Sequence, residues 1–289
     1  MPWTEEFSTM KKTAKINKII PFSNVDGPSN RMAIFFQGCP FDCLFCHNPE
    51  TINLCVSCGK CVATCPSNAL TIDDGSVVWN KLLCVNCDTC ISVCENSASP
   101  KVVDMTVSGL LDEIKKAAPY IDGITTSGGE CTLYHNFLLE LFPLVKELGL
   151  TVLVDSNGSY DFSADPRLLD VVDGVMLDVK AVDKDWSDKL ISYPNDIVLK
   201  ILEFLLNNNK LHEVRTVLFP NHDKENKDTI KYVSSIIQDK CDYKLIRYRP
   251  FGVRKENQKI VGDTTTEEDY AKECVEYAVS CGATKSYYW

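Results

Sequence analysis

Eleven of the fifteen cysteines in this 289-residue chain fall into three short groups whose spacing is typical of iron–sulfur ligands. The first group, the cysteine trio, has the spacing C-x3-C-x2-C and consists of Cys39, Cys43 and Cys46. The other two groups have the spacing C-x2-C-x2-C-x3-C and consist of Cys55, Cys58, Cys61, Cys65 and of Cys84, Cys87, Cys90, Cys94. Three thiolates leave one iron of a [4Fe–4S] cluster without a protein ligand, and an open iron can bind a reacting molecule. The chain therefore combines one candidate reaction centre with two candidate electron-carrying clusters.

The two four-cysteine runs have the spacing with which bacterial ferredoxins hold two [4Fe–4S] clusters. In that arrangement the fourth cysteine of each run binds the cluster of the other run. The expected ligand sets are Cys55, Cys58, Cys61 and Cys94 for insert cluster 1, and Cys84, Cys87, Cys90 and Cys65 for insert cluster 2. Zinc is the alternative, because C-x2-C pairs also hold zinc, but zinc leaves the repeated spacing unexplained.

The composition favours a globular protein whose thiols are kept reduced. Apolar residues make up 45% of the chain, which is typical of a protein with a buried core. The net charge of -10 disfavours a nucleic-acid partner, since phosphate binding needs clustered Lys and Arg; an acidic surface can also serve solubility. No apolar run reaches the roughly 18 residues that cross a bilayer, and residues 1–12 lack the apolar core of a secretory signal. We expect a cytoplasmic protein with neither nucleic acid nor membrane as partner.

The elements that must position these cysteines are alternating strand-like and helix-like runs. The predicted strands cover residues 32–38, 123–130, 151–158, 174–180, 212–220 and 243–252. The predicted helices cover residues 107–121, 137–149, 196–209, 227–238 and 266–280, and the short segment at residues 166–172 lies between the third and fourth strands. Continuous apolar strands that alternate with helices indicate a parallel sheet, and six β/α units are fewer than the eight of a closed barrel. The prediction is an α/β fold, a partial, open (β/α)6 barrel over residues 15–50 and 101–289, with a ferredoxin-like insert at residues 51–100.

Glycine and polar residues gather where the predicted strands end. They are Gly38 and Cys39, Gly128 to Glu130, Asp155 to Gly158, Asp178 to Lys180, and Arg215. In parallel α/β folds the chemistry lies at the carboxyl ends of the strands, so we expect one shared site. Three simpler explanations stay open: glycine pairs also mark turns, strand ends are often just exposed to solvent, and Arg215 could form a structural salt bridge.

Several of these motifs resemble those of a known family. The trio, with Phe45 before Cys46, resembles the radical S-adenosylmethionine (SAM) signature. The string CLFCHNP, together with the upstream segment Val25-Asp26-Gly27-Pro28, is similar to the glycyl-radical-enzyme activating enzymes. The ferredoxin-like insert narrows the resemblance to the activases with two extra clusters, and the strings DGVMLDVKA and VDSNG are most similar to the YjjW-type activase. The resemblance covers nearly the whole chain, from about Lys15 to the end.

The resemblance implies three [4Fe–4S] clusters and SAM, whose amino and carboxylate groups would bind the open iron of the trio cluster. It assigns contacts with SAM to Phe45, His47, Gly128, Gly129, Glu130, Asp155, Ser156, Asn157, Asp178, Lys180 and Arg215. It also implies a monovalent cation near Asp155, Ser156, Met176 and Asp178. Asp26 would hydrogen-bond the partner's glycine backbone. The chain departs from the family pattern at Ser29, at Cys131 and at Arg249, where the family usually has Gly, Pro and often His.

By this resemblance the chain is an activating enzyme. Reduced ferredoxin or flavodoxin would supply electrons, and SAM would be cleaved to methionine and a 5′-deoxyadenosyl radical. That radical would take a Cα hydrogen from a glycine of the partner protein, a glycyl radical enzyme. One alternative is a radical SAM enzyme that acts on a small molecule, which needs a closed substrate pocket. The other is a non-catalytic, ferredoxin-like electron carrier, which has no need of the GGE, DSNG and DVK motifs.

Overall fold

The computed structural model describes residues 13–289, and eleven strands and ten α-helices lie within them. The strands, β1 to β11, are Thr13–Ser23, Arg31–Phe36, Leu70–Asp73, Ser76–Trp79, Val103–Thr106, Gly123–Gly128, Thr151–Ser156, Gly174–Asp178, Leu211–Leu218, Asp242–Arg247 and Ser286–Tyr288. The helices, α1 to α10, are Lys60–Thr64, Thr89–Ser92, Val107–Ala117, His135–Glu147, Arg167–Val171, Lys184–Ile191, Asp196–Asn207, Asp223–Ile237, Lys255–Val261 and Glu268–Ser280. Short 3₁₀ helices cover Pro49–Thr51, Ala118–Tyr120 and Cys131–Tyr134.

Nine strands form one open sheet in the order β11-β10-β9-β8-β7-β6-β2-β1-β5. Strands β2 and β6 to β11 run parallel, and β1 pairs antiparallel with both β2 and β5. The six predicted strands correspond to β2 and β6 to β10, which are neighbours in chain order. The prediction of a mostly parallel α/β sheet is therefore confirmed. The edge strands β5 and β11, and β1 beside β5, were not predicted.

Helices pack on the sheet through apolar residues spaced three and four apart. In α4 the buried side chains are Phe137, Leu138, Leu141, Phe142 and Val145. This spacing places them on one face of the helix, and Gly149, with φ of 77°, follows at its end. All five predicted helices are present. The sequence-based prediction omitted α6 and α9, which are short and largely polar.

Residues 51–100 pack around a small apolar cluster of their own. The cluster consists of Cys61, Leu70 and Cys90, separate from the large core under the main sheet. Strands β3 and β4 form an antiparallel hairpin, and α1 and α2 each follow a residue in the left-handed conformation, Gly59 and Asp88. A bridge between Asn53 and Ala98 joins the two ends of the segment. This compact organisation supports an insert at residues 51–100.

The described part of the chain contains no helix with the length and apolar character needed to cross a membrane. The prediction that residues 1–12 are not a secretory signal falls outside the described residues.

Candidate functional site

The cysteine trio lies on the loop that follows β2, at the carboxyl end of the parallel sheet. Backbone hydrogen bonds fix the start of this loop: Gly38 N donates to Thr51 O at 2.8 Å, and Cys39 N donates to Ile52 O at 2.9 Å. These bonds are possible because residues 49–51 form a 3₁₀ turn that brings the chain back beside the strand. The first ligand of the trio is therefore held between the sheet and the beginning of the insert.

The rest of the trio loop is held by the segments that follow β8 and β10. Leu44 N donates to Leu190 O of α6 at 2.8 Å. His47 Nε2 lies 2.9 Å from the carbonyl oxygen of Arg249, and burial lowers the pKa of His47 although this hydrogen bond opposes the shift. A Cβ atom at Gly252 would lie 2.4 Å from the His47 carbonyl oxygen, so the loop after β10 can approach only because that residue is glycine.

Of the three cysteines of the trio, Cys43 is buried, and Cys39 and Cys46 are half-buried. Burial raises the pKa of each of them, that of Cys43 to about 12, and Lys180 acts in the opposite direction at Cys43 and Cys46. Asn157 Nδ2 donates to Cys39 Sγ at 3.4 Å. A buried thiolate needs a compensating positive charge, which bound iron supplies. The trio is thus chemically suited to a metal cluster.

The glycine pair after β6 lies against the trio loop. A Cβ atom at Gly128 would lie 2.2 Å from Phe36 N, and one at Gly129 would lie 2.2 Å from Gly38 O. Glu130 N also donates to Gly38 O at 2.8 Å. The close approach that these glycines permit is therefore to the protein's own backbone. Their expected contact with SAM stays a prediction.

The carboxylate of Glu130 joins the ends of β6 and β7. It is 1% exposed and accepts hydrogen bonds from Thr132 Oγ1 at 2.6 Å, Ser156 Oγ at 3.1 Å and Asn157 N at 2.7 Å. Burial raises the pKa of Glu130, and these hydrogen bonds oppose the increase. The side chain thus positions the loop that carries Asn157, and its own contact with SAM stays a prediction. The neighbouring Cys131 thiol is buried and donates to Thr126 O at 3.4 Å.

Arg215 forms a salt bridge, which is the structural alternative to a contact with SAM. Its guanidinium is 10% exposed and lies 3.1 Å from Asp155 Oδ1 and 2.5 Å from Glu213 Oε1. Although burial lowers the pKa of Arg215, Asp155, Glu213 and Asp178 together raise it. Burial raises the pKa of Asp155, and Arg215 opposes that increase. The contact of Arg215 with SAM stays a prediction.

A second ion pair lies beside the trio. Lys180 Nζ is 2.8 Å from Asp178 Oδ2 and 5.3 Å from the centre of the Phe45 ring. The Phe45 ring packs edge-on against Phe219 at 5.0 Å between ring centres. Met176 is one of the residues expected near a monovalent cation, and its Sδ accepts a hydrogen bond from Arg215 at 3.0 Å. Arg215 and Lys180 thus already bring positive charge to this region, and the cation stays a prediction.

Asp26 lies in the loop before β2, whereas the trio follows that strand. Burial lowers the pKa of Lys244, the neighbour of Arg215 on the adjacent strand, and the charge of Asp26 opposes that shift. The expected contact of Asp26 with the partner's glycine stays a prediction. Ser23 Oγ donates to Asp26 Oδ2 at 2.5 Å, and Thr125 Oγ1 donates to the Asp26 carbonyl oxygen at 2.5 Å. Ser29 in the same loop has φ of 63°, which favours glycine and explains the glycine of the family pattern.

Two cavities lie in the region of residues 55–101, and each is lined by cysteines from both runs. The larger, about 280 Å³, is bordered by Cys55, Cys58, Cys61, Cys90 and Cys94. The smaller is bordered by Cys65, Cys84, Cys87 and Cys90. Each cavity thus has cysteines of both runs around it, and the ligand sets with an exchanged fourth cysteine stay a prediction. Within residues 13–289 no three His, Cys, Asp or Glu side chains converge as ligands of a single ion would. In a four-iron cluster each cysteine binds a different iron, so the ligands need only surround a common cavity.

Sequence reasoning missed the residues that support the site. Glu213 could have been found, because residues two apart on a strand face the same side and Arg215 is buried. Thr132 and Phe219 follow strand ends and gave no separate signal. Among the cysteines without ligand spacing, Cys241 and Cys274 are buried and Cys281 is half-buried, as expected of thiols that pack in the core.

Comparison with known proteins adds independent information. The model of the radical SAM superfamily matches residues 33–233. A Haemophilus influenzae protein assigned to the glycyl-radical enzyme activating enzymes is 30% identical over 93% of this chain and 94% of its own length. The trans-4-hydroxy-L-proline dehydratase activating enzyme of Clostridioides difficile is 31% identical over 72% of this chain and 75% of its length. The choline trimethylamine-lyase activating enzyme of Oleidesulfovibrio alaskensis is 29% identical over 86% of this chain and 88% of its own length.

Solved structures show the same fold at low sequence identity. QueE from Escherichia coli is 14% identical, with a TM-score of 0.54 over 96% of this chain and 95% of its own. Streptococcus suis SuiB bound to precursor peptide SuiA is 10% identical, with a TM-score of 0.56 over 88% of this chain and 47% of its own. The trio, the fold and the relatives agree. The chain belongs to the radical SAM superfamily and, within it, to the glycyl-radical enzyme activating enzymes.

Proposed function

We propose that this protein activates a glycyl radical enzyme by reductive cleavage of SAM at the cysteine trio. The observation that carries this proposal is the trio loop, to which Gly129, Glu130 and Asn157 attach the ends of two neighbouring strands. This arrangement fixes three thiols at the carboxyl edge of a parallel sheet, where such folds perform their chemistry. An electron carrier has no need of it.

Cys39, Cys43 and Cys46 would hold a [4Fe–4S] cluster, which would supply the one electron needed for the reductive cleavage of SAM. The bond between sulfur and C5′ breaks, which gives methionine and a 5′-deoxyadenosyl radical. This radical takes the Cα hydrogen of a glycine in the partner, so that 5′-deoxyadenosine leaves and the partner keeps the glycyl radical. The electron comes from a reduced ferredoxin or flavodoxin, and one SAM molecule is consumed for each radical.

The protein's own contribution is to bind and orient SAM. The positions that match the family motifs are Phe45, His47, Gly128, Gly129, Glu130, Asp155, Ser156, Asn157, Asp178, Lys180 and Arg215. Lys180 carries a buried ammonium beside the trio, which suits the carboxylate of SAM. Because Glu130 and Arg215 have several protein partners, we assign both a positioning role first and a ligand contact second.

The insert at residues 51–100 would hold two further [4Fe–4S] clusters with the exchanged ligand sets. The two cysteine-lined cavities support this ligand assignment. Such clusters would pass or store electrons for the trio cluster. From this insert and the motifs DGVMLDVKA and VDSNG we propose that the chain is a YjjW-type activase and that it works in an anaerobic cytoplasm.

Hydrogen transfer from a partner tests the proposal. Glycyl radical enzymes labelled with α-deuterated glycine would be mixed with the reduced protein and SAM, including choline trimethylamine-lyase and trans-4-hydroxy-L-proline dehydratase. The expected result is deuterium in 5′-deoxyadenosine and a glycyl radical signal in the partner. A variant with Cys39, Cys43 and Cys46 changed to Ala should give neither. SAM cleavage that yields only unlabelled 5′-deoxyadenosine with every partner would favour the small-molecule enzyme.

A further inference from the structure

Trp79 carries a buried hydrogen-bond donor without an acceptor. It ends β4 and lines the smaller insert cavity, together with Cys65, Cys84, Cys87 and Cys90. Its indole Nε1 is inaccessible to solvent and has no hydrogen-bond partner among residues 13–289. The indole N–H can only donate, and buried donors in folded proteins nearly always have an acceptor. An acceptor therefore belongs in or beside this cavity.

The lining of the cavity limits what that acceptor is. The carboxylate of Asp88, which also borders the cavity, is bound by the ammonium of Lys101. The hydroxyl of Ser67 also borders the cavity, and it lies 3.8 Å from Cys65 Sγ, with which it can share a hydrogen bond. The remaining groups are mainly apolar side chains such as Leu70 and Val85, besides the four cysteine sulfurs. The sulfur atoms of a cluster and of its thiolates are hydrogen-bond acceptors. A sulfur of insert cluster 2 is thus the acceptor that the site provides.

The two insert cavities differ in their hydrogen bonds to sulfur. At the smaller cavity Ala69 N donates to Cys65 Sγ at 3.2 Å, and Thr89 Oγ1 donates to Cys87 Sγ at 3.3 Å. At the larger cavity, Ser57 N donates a longer hydrogen bond to Cys55 Sγ, at 3.4 Å. Hydrogen bonds to cluster sulfurs stabilise the reduced form, which carries more negative charge, and so raise the reduction potential.

We propose that the Trp79 indole N–H donates a hydrogen bond to a sulfur of insert cluster 2 and makes it the higher-potential member of the insert pair. Trp79 is therefore a positioning residue that sets a potential. The inference rests on the proposed function in one respect, that the insert holds two clusters. An electron that enters the insert would then reside first on insert cluster 2, and insert cluster 1 would be the stronger reductant.

The test is a potentiometric titration followed by electron paramagnetic resonance. The full chain with Cys39, Cys43 and Cys46 changed to Ala would be used, so that the insert clusters give the only signals. Trp79→Phe keeps an aromatic ring but removes the N–H. We expect the equilibrium constant for reduction of one cluster to fall roughly tenfold. This lowers the higher of the two midpoint potentials by about 59 mV and leaves the other unchanged.

The matched control is Leu70→Val, which changes the packing of the same cavity without changing a donor. It should leave both midpoints in place. A second readout counts the protons that are coupled to a reduced insert cluster and are lost in deuterated water. Because Ala69 and Thr89 also donate to thiols of this cavity, the prediction is that one such proton of the parent protein is absent from Trp79→Phe.

The outcomes separate this inference from the proposed function. Unchanged midpoints in Trp79→Phe, an equal shift in Leu70→Val, or equal numbers of exchangeable coupled protons in the parent protein and Trp79→Phe would overturn the role of Trp79 alone. Fewer than about eight iron atoms in the trio variant would overturn the two insert clusters, and the inference with them.

Discussion

Replacing Arg215 by leucine should destabilise the fold severely, because it leaves two buried carboxylates without their cation. The guanidinium lies 3.1 Å from Asp155 and 2.5 Å from Glu213, and it is only 10% exposed. Removing one partner of a buried ion pair costs about 3–5 kcal/mol. We therefore expect Arg215→Leu to lower the free energy of unfolding by about that amount.

The assay is equilibrium urea unfolding of the anaerobically reconstituted protein, followed by circular dichroism. The matched control is Arg167→Leu, because Arg167 forms its ion pair with Asp165 on the surface, with 60% of its side chain exposed. Exposed pairs contribute at most about 1 kcal/mol. Adding Glu213→Gln to Arg215→Leu should restore part of the lost stability, since one of the two unpaired charges is then removed.

The effect of Arg215→Leu should also depend on pH. Burial raises the pKa of Asp155, and Arg215 is the main influence that opposes it, so the variant should raise that pKa further. When the pKa of a carboxyl group is raised in the folded state, the folded protein loses stability as the pH rises from the ordinary pKa of that group to the raised one. The difference between the two proteins should therefore widen as the pH increases. A loss below about 1 kcal/mol that does not change with pH would refute the buried salt bridge.

Three further predictions concern the trio loop, the insert and the carboxylate that joins two strands. Gly129→Ala would place a Cβ 2.2 Å from a backbone oxygen, so trio iron and 5′-deoxyadenosine formation should fall while insert iron is kept. Cys65→Ser should alter the same paramagnetic signal as Cys84→Ser; a match with Cys58→Ser instead would contradict the exchanged ligand sets. Thr132→Val removes a 2.6 Å hydrogen bond to a buried carboxylate and should cost about 1.5–3 kcal/mol in urea unfolding. An unchanged midpoint would count against that bond.

Much of the sheet could be predicted because its central strands are continuous apolar runs. Strand β1 was missed because its sequence, TAKINKIIPFS, mixes lysines and asparagine with apolar residues, and only Ala14, Ile16 and Ser23 in it are buried. Strand β11 has three residues, too few for a pattern. The presence of cysteines from both runs around each insert cavity was predictable, since the spacing places the fourth cysteine of each run at the other cluster.

The supporting contacts of the site could not be predicted in the same way. The role of the Glu130 carboxylate depends on Ser156 and Asn157, which reach it only because β6 and β7 are neighbours. Likewise, Arg215 meets Asp155 only through the order of the strands in the sheet. A single sequence identifies residues suited to the chemistry, and the fold decides which of them pair with each other.

Release of 5′-deoxyadenosine is the most direct test that the cysteine trio cleaves SAM. Protein with all three clusters loaded and reduced would be compared with two variants, one with Cys39, Cys43 and Cys46 changed to Ala and one with Cys58 changed to Ser. We predict release from the wild type, none from the trio variant despite its insert iron, and residual release from Cys58→Ser with a strong chemical reductant. Equal release from the trio variant, or none from fully loaded wild type in the presence of a partner, would contradict the assignment.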